Sequence, residues 1–404
     1  MADTWQQSYA ELKEYIAKNP TIEIDMSCVV LPGDVRPEFY RLFDTVRVGF
    51  IKERYPAELE KAYELSRHYG EISKAVKDDL ALESIELMAS VNWFLIDPIN
   101  GLMRVLFDPL FGLIKGKTDM VGFEKAASAA VEDAFKDFFR EGYQRWATLS
   151  LMKLMVPDRK LWRGQATDSY TDPTSEGDVI PGIRDEGVPE PEETKKLLFD
   201  KNLYCNFLVP KAVIRSTRLN TFVGFRPDFY EARRKARLVS EKMEWYNLKE
   251  INKKYAVGKM WPDMALYVND RLEELSLIAD YYQMARPDIL IEFMEEGDWF
   301  AAGRMEAVKR HYDMLKPRLG SFVVCREAVP EAAFKSLEPA PAAPPAEGAT
   351  EAAATQAVAT AEPPDIHLLS VGYNITKLEP IVEVILQAQA KAKEVKKSEA
   401  GSTP

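Results

Sequence analysis

Between Leu95 and Ile114 the chain says nearly the same thing twice. Leu95-Ile96-Asp97-Pro98-Ile99-Asn100-Gly101-Leu102-Met103 is followed by Leu106-Phe107-Asp108-Pro109-Leu110-Phe111-Gly112-Leu113-Ile114. An apolar lead, Asp-Pro, an aliphatic residue, Gly and two more aliphatics recur after about eleven residues, which is a local repeat. Each copy opens like a helix. The Asp carboxylate can accept from the free amides of a first turn, and Pro is tolerated next because its missing N–H would be unpaired there anyway. The second Pro must also interrupt any helix begun by the first copy. Two short, very apolar helical pieces are therefore expected.

Such a segment on an acidic chain has three possible uses. As a membrane span it fails, because Asp97, Arg104 and Asp108 would lie in hydrocarbon and two prolines break the hydrogen-bond ladder. As a docking hairpin it is well furnished: Trp93, Phe94, Leu106, Phe107, Leu110 and Phe111 are the kinds of side chain that anchor at interfaces, and Lys115 and Lys117 follow at once. The partner would be another protein or a second copy of the chain, with a membrane surface, not spanned, as a further possibility. As ordinary core the segment needs no function at all.

Composition narrows the field. A formal charge of -11 over 404 residues argues against general nucleic-acid binding, since phosphate contacts would be made against the field of the whole molecule. The opening residues Met1-Ala2-Asp3-Thr4-Trp5 lack the positive leader and apolar stretch of a secretory signal, so a cytoplasmic location is expected. Cys28, Cys205 and Cys325 are far apart and lie in apolar or β-prone contexts, which reads as buried free thiols. His68, His311 and His367 form no His-x-x-x-His or Glu-x-x-His pair, and no phosphate-binding glycine loop or nucleophile elbow is present. Asp168, Asp172, Glu176 and Asp178 are spaced like oxygen ligands but miss the EF-hand register. No metal or cofactor is expected, and no reaction is named.

One basic island stands out. Lys211, Arg215, Arg218, Arg226, Arg233, Arg234, Lys235 and Arg237 cluster among Phe222, Phe225, Phe229 and Tyr230. Arg215, Arg218, Arg226 and Arg233 could clamp a small phosphate or carboxylate ligand. The alternative is a charged face neutralised by the acidic stretch that holds Glu176, Asp178, Asp185, Glu186, Glu190, Glu192 and Glu193.

Patterning along the chain predicts a mainly α protein: an N-terminal helical bundle plus a second α-rich (α+β) domain with a small sheet. Residues 1–157 read as a helical domain with a short N-terminal strand, whose longest apolar face runs from Val121 to Met155. Residues 158–195 read as an acidic surface connection, 196–335 as the α+β domain, and 336–364 as a flexible Pro/Ala/Glu-rich linker. A strand and an amphipathic helix are expected over 365–397, with a disordered tail from 398. Within the second domain the pattern predicts two strands or a hairpin from Leu203–Val209 and Val213–Phe225, and a strand over Ser321–Arg326. It predicts helices over Asp228–Tyr255, Asp263–Ala285, Pro287–Glu295 and Asp298–Leu315. The linker would either join two strands of one sheet or carry a separate docking element. These features together point to a non-catalytic assembly or adaptor subunit that docks through residues 95–114, and perhaps through the tethered tail. The alternative is an enzyme or ligand-binding subunit with its anionic pocket at the arginine island.

Overall fold

The computed structural model describes residues 4–163, 192–199, 212–227, 262–272, 275, 286–338 and 364–401. It divides into two compact units, Met1–Ala75 with Glu86–Leu149, and Val76–Ile85 with Ser150–Pro404.

The first unit is helical. Helix α1 (Trp5–Lys18) opens on a capping box: Thr4 Oγ1 accepts from the Gln7 amide and the Gln7 side chain accepts from the Thr4 amide. A two-residue hairpin follows, β1 (Glu23–Ile24) with β2 (Val29–Val30). Then come α2 (Arg36–Arg54) and α3 (Pro56–Leu80), the last turns of α3 counting with the second unit. Strand β3 (Ser84–Glu86), whose Ser84 and Ile85 also count with the second unit, leads into α4 (Ala89–Ile96), α5 (Pro98–Met103), a single 3-10 turn at Arg104–Leu106, and α6 (Phe107–Ile114). The long helix α7 (Met120–Leu154) completes the set.

Aromatic rings fill this core. Trp5 is fully buried, 5.5 Å edge-on from Phe50 and 5.2 Å from Phe123. Small residues set the spacing of the helices around it. A Cβ on Gly49 would lie 3.4 Å from the backbone of Trp5, and one on Gly142 only 2.7 Å from Leu65 and 3.0 Å from Leu95. Gly142 thus lets Leu65 of α3 and Leu95 of α4 close onto α7, because only the missing Cβ admits side chains that near.

The second unit is built on a sheet. Strands β4 (Pro157–Arg163), β5 (Glu192–Thr194), β7 (Ala212–Ser216), β8 (Thr221–Pro227), β9 (Met264–Asn269), β10 (Ile289–Met294), β11 (Ser321–Cys325) and β12 (Ile366–Ser370) form one eight-stranded mixed sheet, in the order β12-β11-β10-β9-β8-β7-β4-β5. Strand β6 (Lys196–Leu198) pairs with β3 instead. Pairs β10–β11 and β11–β12 are parallel and the rest of the large sheet is antiparallel. Helix α8 (Arg304–Leu315) is the crossover between β10 and β11. With the short α9 (Glu331–Lys335) it covers one face of the parallel edge: Met294, Val323, Cys325 and Ile366 from the strands close on Trp299, Met305, Val308 and Ala333. The chain ends in α10 (Glu379–Gly401), whose Ile381, Val382 and Ile385 are buried.

A mainly α fold with a small sheet is therefore not what forms: the second unit is organised by a large mixed sheet. The error has a specific origin. Met264–Asn269 and Ile289–Met294, expected to be helical, are the neighbouring interior strands β9 and β10. All six residues of β10 are buried, so both faces are apolar and the period-2 signal vanishes. A strand buried on both faces reads like a buried helix segment. Glu292 sharpened the confusion. It breaks the apolar run, and the fold tolerates it because His311 of α8 meets it at 2.5 Å between Nδ1 and Oε1 with both side chains buried.

Other expectations fare variously. Val213–Phe225, expected as one strand beside Leu203–Val209, is instead split by a turn at residues 217–220 into β7 and β8, which pair with each other, whereas β11 and the C-terminal strand form as expected. Residues 158–163 and 192–194, expected to belong to a surface connection, instead lie in strands β4 and β5 of the sheet, and Cys28, expected to be buried, is exposed. The segment joining β11 to β12 links two neighbouring strands of one sheet, so the C-terminal strand packs on its own chain. Helix α10 continues to Gly401, past the expected end at 397. The predicted strand Leu203–Val209, helix Asp228–Tyr255 and oxygen ligands Asp168, Asp172, Glu176 and Asp178 lie outside the described residues.

Candidate functional site

The doubled segment becomes α4, α5, the 3-10 turn and α6, and its two copies behave differently. In the first, Asp97 caps α5 by accepting from the amides of Ile99 at 3.1 Å and Asn100 at 3.3 Å, with Pro98 at the first helical position. In the second, α6 starts two residues early, at Phe107 and not at Pro109, and Asp108 makes no capping bond. The chain has no room for a separate cap there. Met103 and Arg104 run directly into the 3-10 turn, whose last residue, Leu106, is already in helical conformation.

Burial sorts the six expected anchors into two groups. Phe94, Leu106 and Leu110 are fully buried within the unit, Phe94 against Phe138 at 5.0 Å and Phe139 at 5.8 Å. These three are core. Trp93 and Phe111 are half-buried and Phe107 is 39% exposed. Phe107 lies 4.7 Å from Phe111 and 5.6 Å from Phe43, and Phe111 lies 4.6 Å from Phe43 and 6.2 Å from Phe39, so an aromatic stack runs from the core out to the surface. Such pairs contribute roughly 0.5–1.5 kcal/mol each beyond area burial, which holds Phe107 in place although one side of it faces solvent. Trp93 carries Arg104 on its ring at 3.2 Å, a cation–π contact that shields the indole face. Ile96, at the end of α4, is 71% exposed and is the least covered large apolar side chain of the hairpin.

Arg47 braces the hairpin and was missed by patterning. It lies buried beneath the hairpin and donates to the Met103 carbonyl at 2.7 Å. It pairs with Asp44 and spreads its guanidinium over Phe43 at 4.8 Å and Phe107 at 5.7 Å. One side chain thus fixes both the end of α5 and the outermost ring. A signal was present, since Arg47 falls four residues after Phe43 on the face defined by Phe39, Phe43, Val46 and Phe50.

The arginine island takes a different form from a clamp. Arg218, in the β7–β8 turn, donates to the Leu154 carbonyl at 3.3 Å and pairs with Glu379 at 2.7 Å. It thereby meets the negative end of α7 and the acidic first turn of α10, two sites where the helix dipoles favour these charges. Ser216 and Thr217 of the same turn donate to the carbonyls of Met155 and Val156, completing the cap of α7. Arg226 is buried on β8 beside Tyr267, whose phenol burial raises and this guanidinium lowers. Arg215 is exposed on β7, 5.9 Å over Phe222. Arg215 is opposite Phe222 in the ladder, so Arg226 lies four residues, or roughly 13 Å, farther along. Arg233 and Lys211 lie outside the described residues.

Two further observations bound the site's chemistry. Among the described residues no helix is long and apolar enough to cross a membrane. Among the same residues no group of three His, Cys, Asp or Glu is placed to hold a metal ion. Comparison of the chain with protein-family models, curated proteins and solved structures finds no match.

Proposed function

We propose that this chain is a non-catalytic assembly or adaptor subunit of a cytoplasmic complex, docking a protein partner through the 95–114 hairpin. The observation that supports the reading is the aromatic stack of Phe39, Phe43, Phe111 and Phe107. It is braced by Arg47 and ends in a ring held rigidly at the surface. A pre-positioned aromatic loses little conformational freedom on binding, which is the property of an energetic hot spot. Ile96 and the half-buried Trp93 supply neighbouring apolar area. Arginines 215, 218 and 226 support a ligand-clamp reading less well, because Arg218 is spent on two helix ends and Arg226 is buried in the sheet.

The test is purification of the full chain at low salt with identification of co-purifying proteins, run beside sedimentation of the isolated chain. Both use Phe107→Asp and Ile96→Asp variants. A stoichiometric partner, or a dimer, that is lost in variants with unchanged circular dichroism is the expected result. A wild-type chain that is monomeric and alone, or a partner retained by both variants, refutes the proposal. Flotation with anionic vesicles, lost in the same variants, would instead place a lipid surface on the hairpin.

A further inference from the structure

The junction where α7 passes into β4 has an unusual backbone. Val156 and Arg159 both have positive φ, 50° and 72°, although neither is glycine and Val156 is β-branched. The β4–β7 register shifts between Pro157 and Leu161, so one stretch of β4 bulges, and Arg159 and Lys160 are exposed in succession instead of alternating. A bulge re-aims side chains, and here it turns Arg159 into a cleft. That cleft has a volume of about 450 Å³ and is lined by Asp78, Asp79, Lys153, Val156, Pro157 and Arg159, all within the second unit. The volume lies inside the range of small-molecule sites.

Charge pairing decides what the cleft can hold. Lys153 and Asp79 are 2.6 Å apart and satisfy each other. Among the described residues the side chains of Asp78 and Arg159 have no hydrogen-bond or ion-pair partner. The carbonyls of Leu154, Met155 and Val156, the other polar groups at the end of α7, are taken by Arg218, Ser216 and Thr217. The cleft therefore offers one available carboxylate, one available guanidinium and the apolar surface of Val156 and Pro157. A simple anion would meet Arg159 but also the field of Asp78 and Asp79, and a simple cation would be opposed by Lys153 and Arg159. A molecule bearing both charges is opposed by neither.

We propose that this cleft binds a small zwitterion of the amino-acid class, its carboxylate on Arg159, its ammonium on Asp78 and its methylenes on Val156 and Pro157. Both charged groups are solvent-exposed, so the affinity is modest, about millimolar. This site is independent of the hairpin and of the docking proposal.

The experiment is ligand-observed NMR on the full chain with glycine, 4-aminobutyrate and 6-aminohexanoate, whose charges are separated by increasing lengths. Hexanoate and hexylamine serve as singly charged probes. The expected result is that at least one zwitterion binds, that both singly charged probes bind about tenfold more weakly or not at all, and that Arg159→Gln and Asp78→Asn each weaken the zwitterion about tenfold. Arg163→Gln, in the same strand but paired with Glu192, leaves binding unchanged. Both test side chains are exposed, and circular dichroism verifies the fold of each variant. No binding by any of the three zwitterions up to about 10 mM, equal binding of the singly charged probes, or binding that survives both substitutions overturns the proposal.

Discussion

The two glycines of the doubled segment occupy equivalent places in the sequence repeat and opposite places in the structure, so the same substitution should act on them with opposite sign. A Cβ built on Gly101 lies 2.6 Å from Cα, 2.7 Å from the backbone nitrogen and 2.8 Å from Cβ of Phe94. Ordinary contact begins near 3.4 Å, and the obstructing atoms are mostly backbone, so α4 and α5 must part by about 1 Å. Phe94 cannot yield easily, because its ring is wedged among Phe135, Phe138 and Phe139. Overpacking of this kind costs about 1–3 kcal/mol, against which Ala recovers up to about 1 kcal/mol of helix propensity. Gly101→Ala should therefore destabilise by roughly 1–2 kcal/mol. At Gly112 the only atom near a new Cβ is Thr118 Cγ2, at 4.0 Å. Gly112→Ala in α6 meets no obstruction and should stabilise by roughly 0.5–1 kcal/mol. A chain of two units need not unfold in one step, so the assay is hydrogen exchange of peptides covering 89–114, supported by urea unfolding. Faster exchange in Gly101→Ala and slower exchange in Gly112→Ala is expected. Equal effects of one sign at both positions, or a Gly101→Ala chain as stable as wild type, would mean that α4 and α5 do not pack as described.

Two further outcomes follow from single groups. Burial raises the Cys325 thiol to about 12, so it is essentially all protonated at pH 8, whereas Cys28 is exposed; a disulfide reagent followed by peptide mapping should label Cys28 in the native chain and Cys325 only after denaturation, and native labelling of Cys325 would contradict its place under α8. The Asp25 carboxylate accepts from the Ser27 hydroxyl at 2.6 Å and from the amides of Cys28 and Ser27, which hold it well below the usual carboxylate range; its contribution to the β1–β2 turn is thus present above the ordinary Asp pKa and lost only as pH falls through the depressed value. A side-chain NMR titration should show that depressed midpoint, moving up in Ser27→Ala, and an ordinary midpoint in the wild type would show the turn is not formed.

How far the molecule was legible depends on whether each decisive contact was local. Capping of α5 by Asp97 and Pro98 needs only neighbouring residues, and it could be read directly, as could the extended character of Val213–Phe225, though not the turn at residues 217–220 that divides it into β7 and β8. Periodicity likewise determined α1, α2 and α3, because each keeps one face in water and so shows a 3.6-residue stripe. The interior strands β9 and β10 carried no such stripe. Both of their faces are covered, and only the pairing of β10 with β9 and β11 reveals them as strands.

The candidate sites divide along the same line. The sequence by itself determined that the 95–114 segment is apolar, doubled and broken by proline, and that arginines cluster after residue 210. Only the tertiary structure decided that Phe94, Leu106 and Leu110 turn inward while Phe107 and Ile96 stay at the surface, since a residue's exposure depends on which helices lie across from it. It also decided that Arg218 binds two helix ends, and that Asp78 and Arg159, eighty-one residues apart in number, line one cleft. Long-range juxtaposition leaves no mark on a single chain, because the residues it joins obey only their own local rules until the fold brings them together.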